Sequence, residues 1–388
     1  MDETAKVKIV NWLLFIYLAI FPFGQLARFE IIVASHKIPL LGVDLVLGLF
    51  VLVFLVGKFK RPKIWPTMLA FLLIGLFSMV VFFAKTGRAE LVGFLYLLRL
   101  TANFIFLVII FNVTRASRGI RELIFKSLIV VSTISAIFGW IQYFLYSDLR
   151  FLYWLGWDDH LYRLTGTFLD PGFTSILLVF GFLASLSTSF KERRKYYIYL
   201  AGFFLLTLLF TYSRAGYLAL VAGSLKLLLP QNWRYFILVL MFLVLGTLFL
   251  PRIEGEGVRL ERLASINKRL VNYGQTFEIF KRSPLFGVGY NNLCLAKKYF
   301  FPDTFFGEHS CSGSDSSVLF VLATTGVLGA SIFLYLLWKL SKVQQNIYGR
   351  SFLACGSALL VHSLFVNSLF YPWVLGWLSI LAAMSIRE

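Results

Sequence analysis

The sequence predicts an all-α fold, a polytopic transmembrane bundle of about twelve spans with one long loop on the extracytoplasmic side. Three observations predict it. Hydrophobic residues fill 59% of 388 positions and charged ones only 14%, whereas a soluble domain is roughly half apolar and a quarter charged. The apolar residues gather in runs close to the ~20 residues that cross a bilayer as a helix. The formal charge of +18 sits largely in short basic clusters between those runs, a pattern that marks cytoplasmic loops and not a nucleic-acid surface.

Taken in order, the apolar runs cover 10–27, 38–57, 64–84, 91–113, 123–146, 171–190, 196–213, 215–229, 234–250, 316–338, 351–370 and 373–386. The first follows Met1-Asp2-Glu3 without a small-residue cleavage site, so it reads as a retained helix. The run at 215–229 is short and ends at Pro230, and only Tyr371-Pro372 divides the last two. Four basic clusters fall on alternate connections: Lys58/Lys60/Arg61/Lys63, Arg115/Arg118/Arg121/Lys126, Lys191/Arg193/Arg194/Lys195 and Lys339/Lys342/Arg350. Their alternation places both termini in the cytoplasm and the loops 147–170 and 251–315 outside, in a single integral domain over 1–388.

The loop 251–315 is the only soluble-looking part. Leu260, Leu263, Ile266, Leu270, Tyr273, Phe277 and Phe280 recur every three or four residues, which predicts an amphipathic helix lying on the outer leaflet or packed on the bundle. Arg262 and Arg269 fall beside that stripe. Three cysteines make no disulfide framework; Cys294 and Cys311 are candidates for one bridge, Cys355 for a buried thiol.

Three segments concentrate polar groups. In Thr211-Tyr-Ser-Arg214-Ala-Gly an arginine lies between two apolar runs with almost no loop around it; such an arginine is either functional or snorkels to the interface. Tyr162-Arg163-Leu-Thr-Gly-Thr-Phe-Leu-Asp170-Pro-Gly offers a cation, hydroxyls and glycines whose N–H groups suit an anion. A helix cap at Asp170, with Pro171 at the first helical position, explains much of the same segment. The third runs from Arg269 through Ser283-Pro-Leu-Phe-Gly287-Val-Gly289 to His309 and Asp315, where the glycines permit a tight turn and His309 offers an imidazole among hydroxyls. His309, Cys311 and Asp315 suggest a metal site only by proximity, since no second His or Cys pair completes it. No Walker loop, dinucleotide fingerprint or nucleophile elbow is present, which argues against cytosolic nucleotide chemistry.

In order, Arg163-Leu-Thr-Gly-Thr-Phe, Thr211-Tyr-Ser-Arg-Ala-Gly, Arg269 with an aromatic four residues on, Ser283-Pro-Leu-Phe-Gly-Val-Gly and Thr324-Thr-Gly-Val-Leu-Gly resemble the O-antigen ligase/polymerase superfamily, over roughly residues 160–340. The resemblance implies the helical, GT-C-like fold of membrane glycosyltransferases that use lipid-linked sugars. It implies a donor glycan on undecaprenyl diphosphate and transfer to an acceptor hydroxyl, on a lipid A core or another surface molecule, at the outer face of the cytoplasmic membrane. Arg214 and Arg269 match the diphosphate-binding arginines, Arg163 is a weaker member of that set, and His309 is the candidate base. The chain departs from the pattern at one place: counting back from Gly326 to the expected histidine reaches Asp315, with His309 six residues upstream. Either an insertion has displaced the histidine or Asp315 has its role; the imidazole is the better base at neutral pH.

No cofactor or metal is expected, because arginine grips a leaving diphosphate without one. The expected partners are the donor, a lipid or glycan acceptor and membrane lipids, with no nucleic acid. A polysaccharide polymerase and a protein O-oligosaccharyltransferase share these motifs. A lipid-glycan flippase or exporter is the rival of a different class, and Arg99, a basic residue inside an apolar run, is the feature that keeps it in view.

Overall fold

A computed structural model describes residues 3–33, 36–88, 91–253, 255–302 and 313–387. The chain is an all-α multi-pass membrane protein. Helix α1 (Glu3–Ile20) is followed by a hairpin of β1 (Arg28–Val33) and β2 (His36–Leu41), paired antiparallel with Arg28 opposite Leu41. The next helices are α2 (Gly42–Val56), α3 (Trp65–Thr86), α4 (Leu91–Ala116), α5 (Arg118–Leu145), α6 (Pro171–Glu192), α7 (Lys195–Leu209), α8 (Arg214–Leu228) and α9 (Trp233–Phe249). Then come α10 (Ala264–Arg282), α11 (Leu293–Phe300), α12 (Ser317–Ser341), α13 (Ile347–His362) and α14 (Pro372–Ser385). Among the described residues six segments are long and apolar enough to cross a membrane: Val7–Ala27, α3, α4, α5, α6 and α12; α2, α7, α9 and α14 are shorter apolar helices.

Polar caps set the helix ends. Ser117 Oγ accepts from Ile120 N at 3.4 Å to start α5, Asn232 Oδ1 from Arg234 N at 3.0 Å to start α9, and Asn346 Oδ1 from Gly349 N at 3.0 Å to start α13. Helix α3 stops on Gly87, whose left-handed backbone (φ 67°) suits glycine. Within the bundle, hydroxyls that would be costly in an apolar interior bond back to their own helix, as Ser132 does to Leu128 O and Thr188 to Ala184 O. Helix α14 is buried almost all round, with Trp373 and Trp377 among the largest enclosed side chains, and Trp377 packs on Phe180 of α6 at 4.8 Å between ring centroids. Helix α9 is its opposite, with Val239 alone buried.

The four basic clusters share one end of the bundle. Lys339 Nζ donates to Thr67 Oγ1 at 3.0 Å, Arg121 Nη2 to Gln344 Oε1 at 3.0 Å, and Lys126 bridges Glu122 and Glu192 at 3.0 and 2.9 Å. Arg115 and Arg121 also donate to the carbonyls of Ile386 and Met384, fixing the last residues there.

Two local features differ from the sequence expectation. A β-hairpin stands between the first two apolar runs, where its alternating Arg28-Phe-Glu-Ile was too short to separate from the flanking hydrophobic stretches. The amphipathic helix begins at Ala264, so Leu260 and Arg262 precede it, and Tyr273 and Phe280 turn inward while Leu263, Leu270 and Phe277 stay exposed.

Candidate active site

At the end of the bundle opposite the basic clusters lies a cavity of about 960 Å³. Helix starts and ends converge on it: Gln25 and Arg28 after α1, Leu41 before α2, Asp170 before α6, Ser213 before α8, Asp315 before α12 and Tyr371 before α14. Arg163, Arg214, Arg269 and Asp315, four of the five residues singled out from the sequence, line this one cavity. The fifth, His309, lies outside the described residues, as does Cys311. Cys294 is disulfide-bonded and Cys355 is a buried free thiol.

The segment Thr211–Gly216 works residue by residue. Arg163 Nε donates to Thr211 O at 3.1 Å and its Nη2 to Tyr212 O at 3.3 Å. Tyr212 adopts φ 50° and sends its hydroxyl to Pro251 O at 2.6 Å, tying the turn to the start of the long loop. Ser213 Oγ caps α8 by accepting from Gly216 N at 3.2 Å. Arg214, first in the helix, reaches back to that loop, donating from Nη1 to Leu260 O and Arg262 O, both at 3.1 Å, and from Nη2 to Ser265 Oγ at 2.7 Å. Gly216 is needed for close approach, because a Cβ there would stand 2.5 Å from Ser175.

The segment before α6 serves mainly as a fastened wall. Gln142 Oε1 accepts from Thr165 N at 2.9 Å and Gly166 N at 3.1 Å, so these amides are occupied and do not form the anion-binding nest that the glycines suggested. Asp170 caps α6 by accepting from Phe173 N at 2.9 Å with Pro171 following, as the sequence indicated. Burial raises the Asp170 carboxyl above the ordinary range, partly offset by the Phe173 N–H.

The third constellation brings its parts together through glycine. Gly287 (φ 70°), Gly289 (φ 92°) and Gly326 (φ 65°) all take left-handed backbone, and Gly326 breaks α12 into two helical pieces. The loop bonds to that break: Val288 N to Ala323 O at 3.0 Å, Gly289 N to Thr324 O at 2.9 Å, and Val327 N to Pro284 O at 2.8 Å. From α10, Asn272 Oδ1 receives Asp315 N at 3.0 Å and so positions the last residues before α12.

Electrostatically the cavity is cationic. Its wall carries Arg28, Arg99, Arg150, Arg163, Arg214, Arg262, Lys268 and Arg269 against the carboxylates Asp158, Asp159, Asp170 and Asp315. Arg28, Arg99 and Arg150 have their own acids in Glu30, Asp44 and Asp148, at 3.0, 2.6 and 2.7 Å. Among the described residues no carboxylate pairs with Arg163, Arg214, Lys268 or Arg269. Burial and repulsion from Arg262 bring Arg163 down to about 9, which leaves it charged at neutral pH. Burial raises the Asp315 carboxyl, against the pull of Arg269 and Lys297.

Two buried histidines were not picked out in the sequence. His160 is buried in the wall, its Nε2 has no hydrogen-bond partner, and burial with Arg163 and Arg262 nearby lowers it to about 3. It is one of only four histidines in the chain, and that scarcity was its sole signal. His362 is fully buried behind the wall, with Nδ1 2.9 Å from Ser368 Oγ and Nε2 3.4 Å from Ser175 Oγ, which in turn meets Ser213 Oγ at 3.0 Å. Arg99 belongs to the wall and is held by Asp44 of α2 through Nε at 2.9 Å and Nη2 at 2.6 Å, so the charge inside the apolar run is paired.

Such a site can hold a polyanion, because guanidiniums already oriented by backbone carbonyls keep N–H groups for phosphate oxygens. Aromatic residues of its lining, Tyr96, Trp157, Tyr290 and Tyr371 among them, offer flat apolar faces beside those charges. No curated protein matches the chain. Residues 198–334 match the family model described as O-Antigen ligase, a stretch that includes Arg214, Arg269, Asp315 and the Gly287/Gly326 contact but stops short of Arg163. Over that stretch, about a third of its length, the chain is similar to the O-antigen ligase family.

Proposed function

We propose that this protein is a ligase-type glycosyltransferase that moves a glycan from undecaprenyl diphosphate to an acceptor hydroxyl, such as one on a lipid A core, without a metal. In this reading about twelve spans cross the cytoplasmic membrane, and the basic clusters at the opposite end of the bundle support cytoplasmic termini and a cavity on the outer face. The observation that carries the reading is the set of cations Arg163, Arg214 and Arg269, without acid partners among the described residues, around one cavity with Asp315.

In the proposed reaction the acceptor oxygen attacks the anomeric carbon, the bond from that carbon to the diphosphate oxygen breaks, and the lipid diphosphate leaves with the electron pair. Arg214 and Arg269 stabilise that developing charge, Arg163 reinforces it from the wall, and the acceptor proton passes to a base. One displacement inverts the anomeric centre. His309 is the proposed base. The raised carboxyl of Asp315 supports a second assignment, since a carboxylate with higher proton affinity is a better acceptor at neutral pH.

The test is transfer by purified protein from a lipid-diphosphate glycan in EDTA, comparing wild type with Arg214→Ala, Arg269→Ala, His309→Ala and Asp315→Ala. Activity in EDTA that falls by about 100-fold or more on changing an arginine and one of the two base candidates supports the reading. No transfer by folded wild type across varied donors and acceptors would move the assignment to a lipid-glycan flippase.

A further inference from the structure

Helix α10 carries two faces with different surroundings. Ser265, Lys268, Arg269 and Asn272, at helical spacing, line the cavity, and Thr276 and Ile279 continue that face as buried residues packed inward. On the far side Leu263, the residue just before the helix, with Ile266, Leu270 and Phe277 forms an apolar stripe left open, Leu263 being 68% and Leu270 59% exposed. Asn267, Glu278 and Lys281 border it with polar groups.

Three contacts fix where the helix lies. Arg214 Nη2 holds Ser265 beside the start of α8, the Tyr273 hydroxyl donates to Leu364 O at 2.7 Å just past the end of α13, and Lys85 Nζ donates to Arg282 O at 3.3 Å at the end of α3. All three points belong to the cavity end of the bundle. A helix of 19 residues is about 28 Å long, so α10 runs across that rim and not along a span. Leu360, in the last turn of α13, and Leu364, just beyond it, are themselves exposed, and Leu364 is the residue that Tyr273 holds. The open stripe on α10 thus continues a surface that, in a membrane bundle, hydrocarbon covers.

We infer that α10 is an interfacial helix whose Leu263, Ile266, Leu270 and Phe277 face is seated in the lipid leaflet at the cavity end, while its opposite face forms the cavity wall. Acyl chains take up the apolar stripe as they do on an amphipathic helix at a bilayer surface, with the polar border at headgroup level. This inference rests on the membrane-bundle architecture and does not need the transferase reading. One helix diameter, about 10 Å, then separates bulk lipid from Arg269.

The experiment places single cysteines at Leu263, Leu270 and Phe277, with Asn267 and Glu278 as polar-border references, labels them with a small fluorophore in nanodiscs, and compares quenching by brominated acyl chains with quenching by aqueous iodide. The unsubstituted protein measures any labelling of its own cysteines. Brominated lipid should quench the stripe labels at least about twofold more than the reference labels, with iodide in the reverse order. Iodide reaching Leu263, Leu270 and Phe277 as readily as Asn267 would overturn the inference, and so would stripe labels shielded from both quenchers, which would mean protein covers them. The readout is position and not turnover, so loss of the transferase reading would leave it unchanged.

Discussion

Arg163 donates to the carbonyls of both Thr211 and Tyr212, so the guanidinium before α6 fastens the turn that carries Arg214. Arg163 therefore has a supporting task apart from any contact with substrate. Arg163→Ala removes two charge-assisted bonds and should cost about 2–3 kcal/mol of stability. Arg163→Lys, with a single point charge, should restore only part of it. Thermal unfolding in detergent checks the order wild type, Lys, Ala; equal melting of all three would show that the turn holds without the bond.

The Arg99–Asp44 pair gives a second prediction. Both side chains are mostly buried and bidentate, so removing one partner strands a charge. Arg99→Leu or Asp44→Asn alone should destabilise by about 3–5 kcal/mol, and the double change to Leu at both positions should recover much of that. If Arg99 instead served a transport path, the double variant would be stable yet inactive in flipping assays and unimpaired in glycan transfer.

Gly287 and Gly326 meet face to face with left-handed backbone, and a Cβ on either would run into the other segment's main chain. Gly287→Ala and Gly326→Ala should each cost at least about 1–3 kcal/mol from backbone strain alone. The two changes together should cost less than their sum, since both disrupt one contact. Circular-dichroism melts of the single and double variants measure the coupling.

His160 sets an acid sensitivity. Its folded-state pKa of about 3 lies below the ordinary 6.5, because burial and the nearby Arg163 and Arg262 oppose protonation. The unfolded chain takes up a proton as pH falls below about 6.5 and the folded one does not, so stability is lost in that direction. Between about pH 7.5 and 4.5 the wild type should lose about 2–3 kcal/mol more than His160→Gln. Parallel acid slopes for the two proteins would show that His160 becomes protonated in the fold.

Much of this site was legible because membrane burial makes polar residues conspicuous. Arg214 stood between two apolar runs and lines the cavity, and Asp170-Pro171 announced the helix start that the Asp170 cap makes. Arg99 stood out equally, but its partner Asp44 lies 55 residues earlier, and no local pattern joins the two. The amides of Thr165 and Gly166 looked available because their acceptor, Gln142, belongs to the preceding helix. His160 and His362 carry no motif at all; burial gives them meaning, and burial depends on the packing of distant helices. Periodicity gave the long-loop helix its existence but not its rotation, which Tyr273, Asn272 and Ser265 set through bonds to other elements.

One closing contact bears on biogenesis. The Gln25 amide donates to the Tyr371 hydroxyl at 3.2 Å across 346 positions of sequence, and both residues line the cavity. A ribosome making about 5–20 residues per second needs on the order of 17–70 s to pass from the first to the second. Through that interval the nascent chain has its early helices in the bilayer but no closed wall between them, so the cavity is a property of the finished polypeptide and a product cut short before α14 would hold the cations without the chamber.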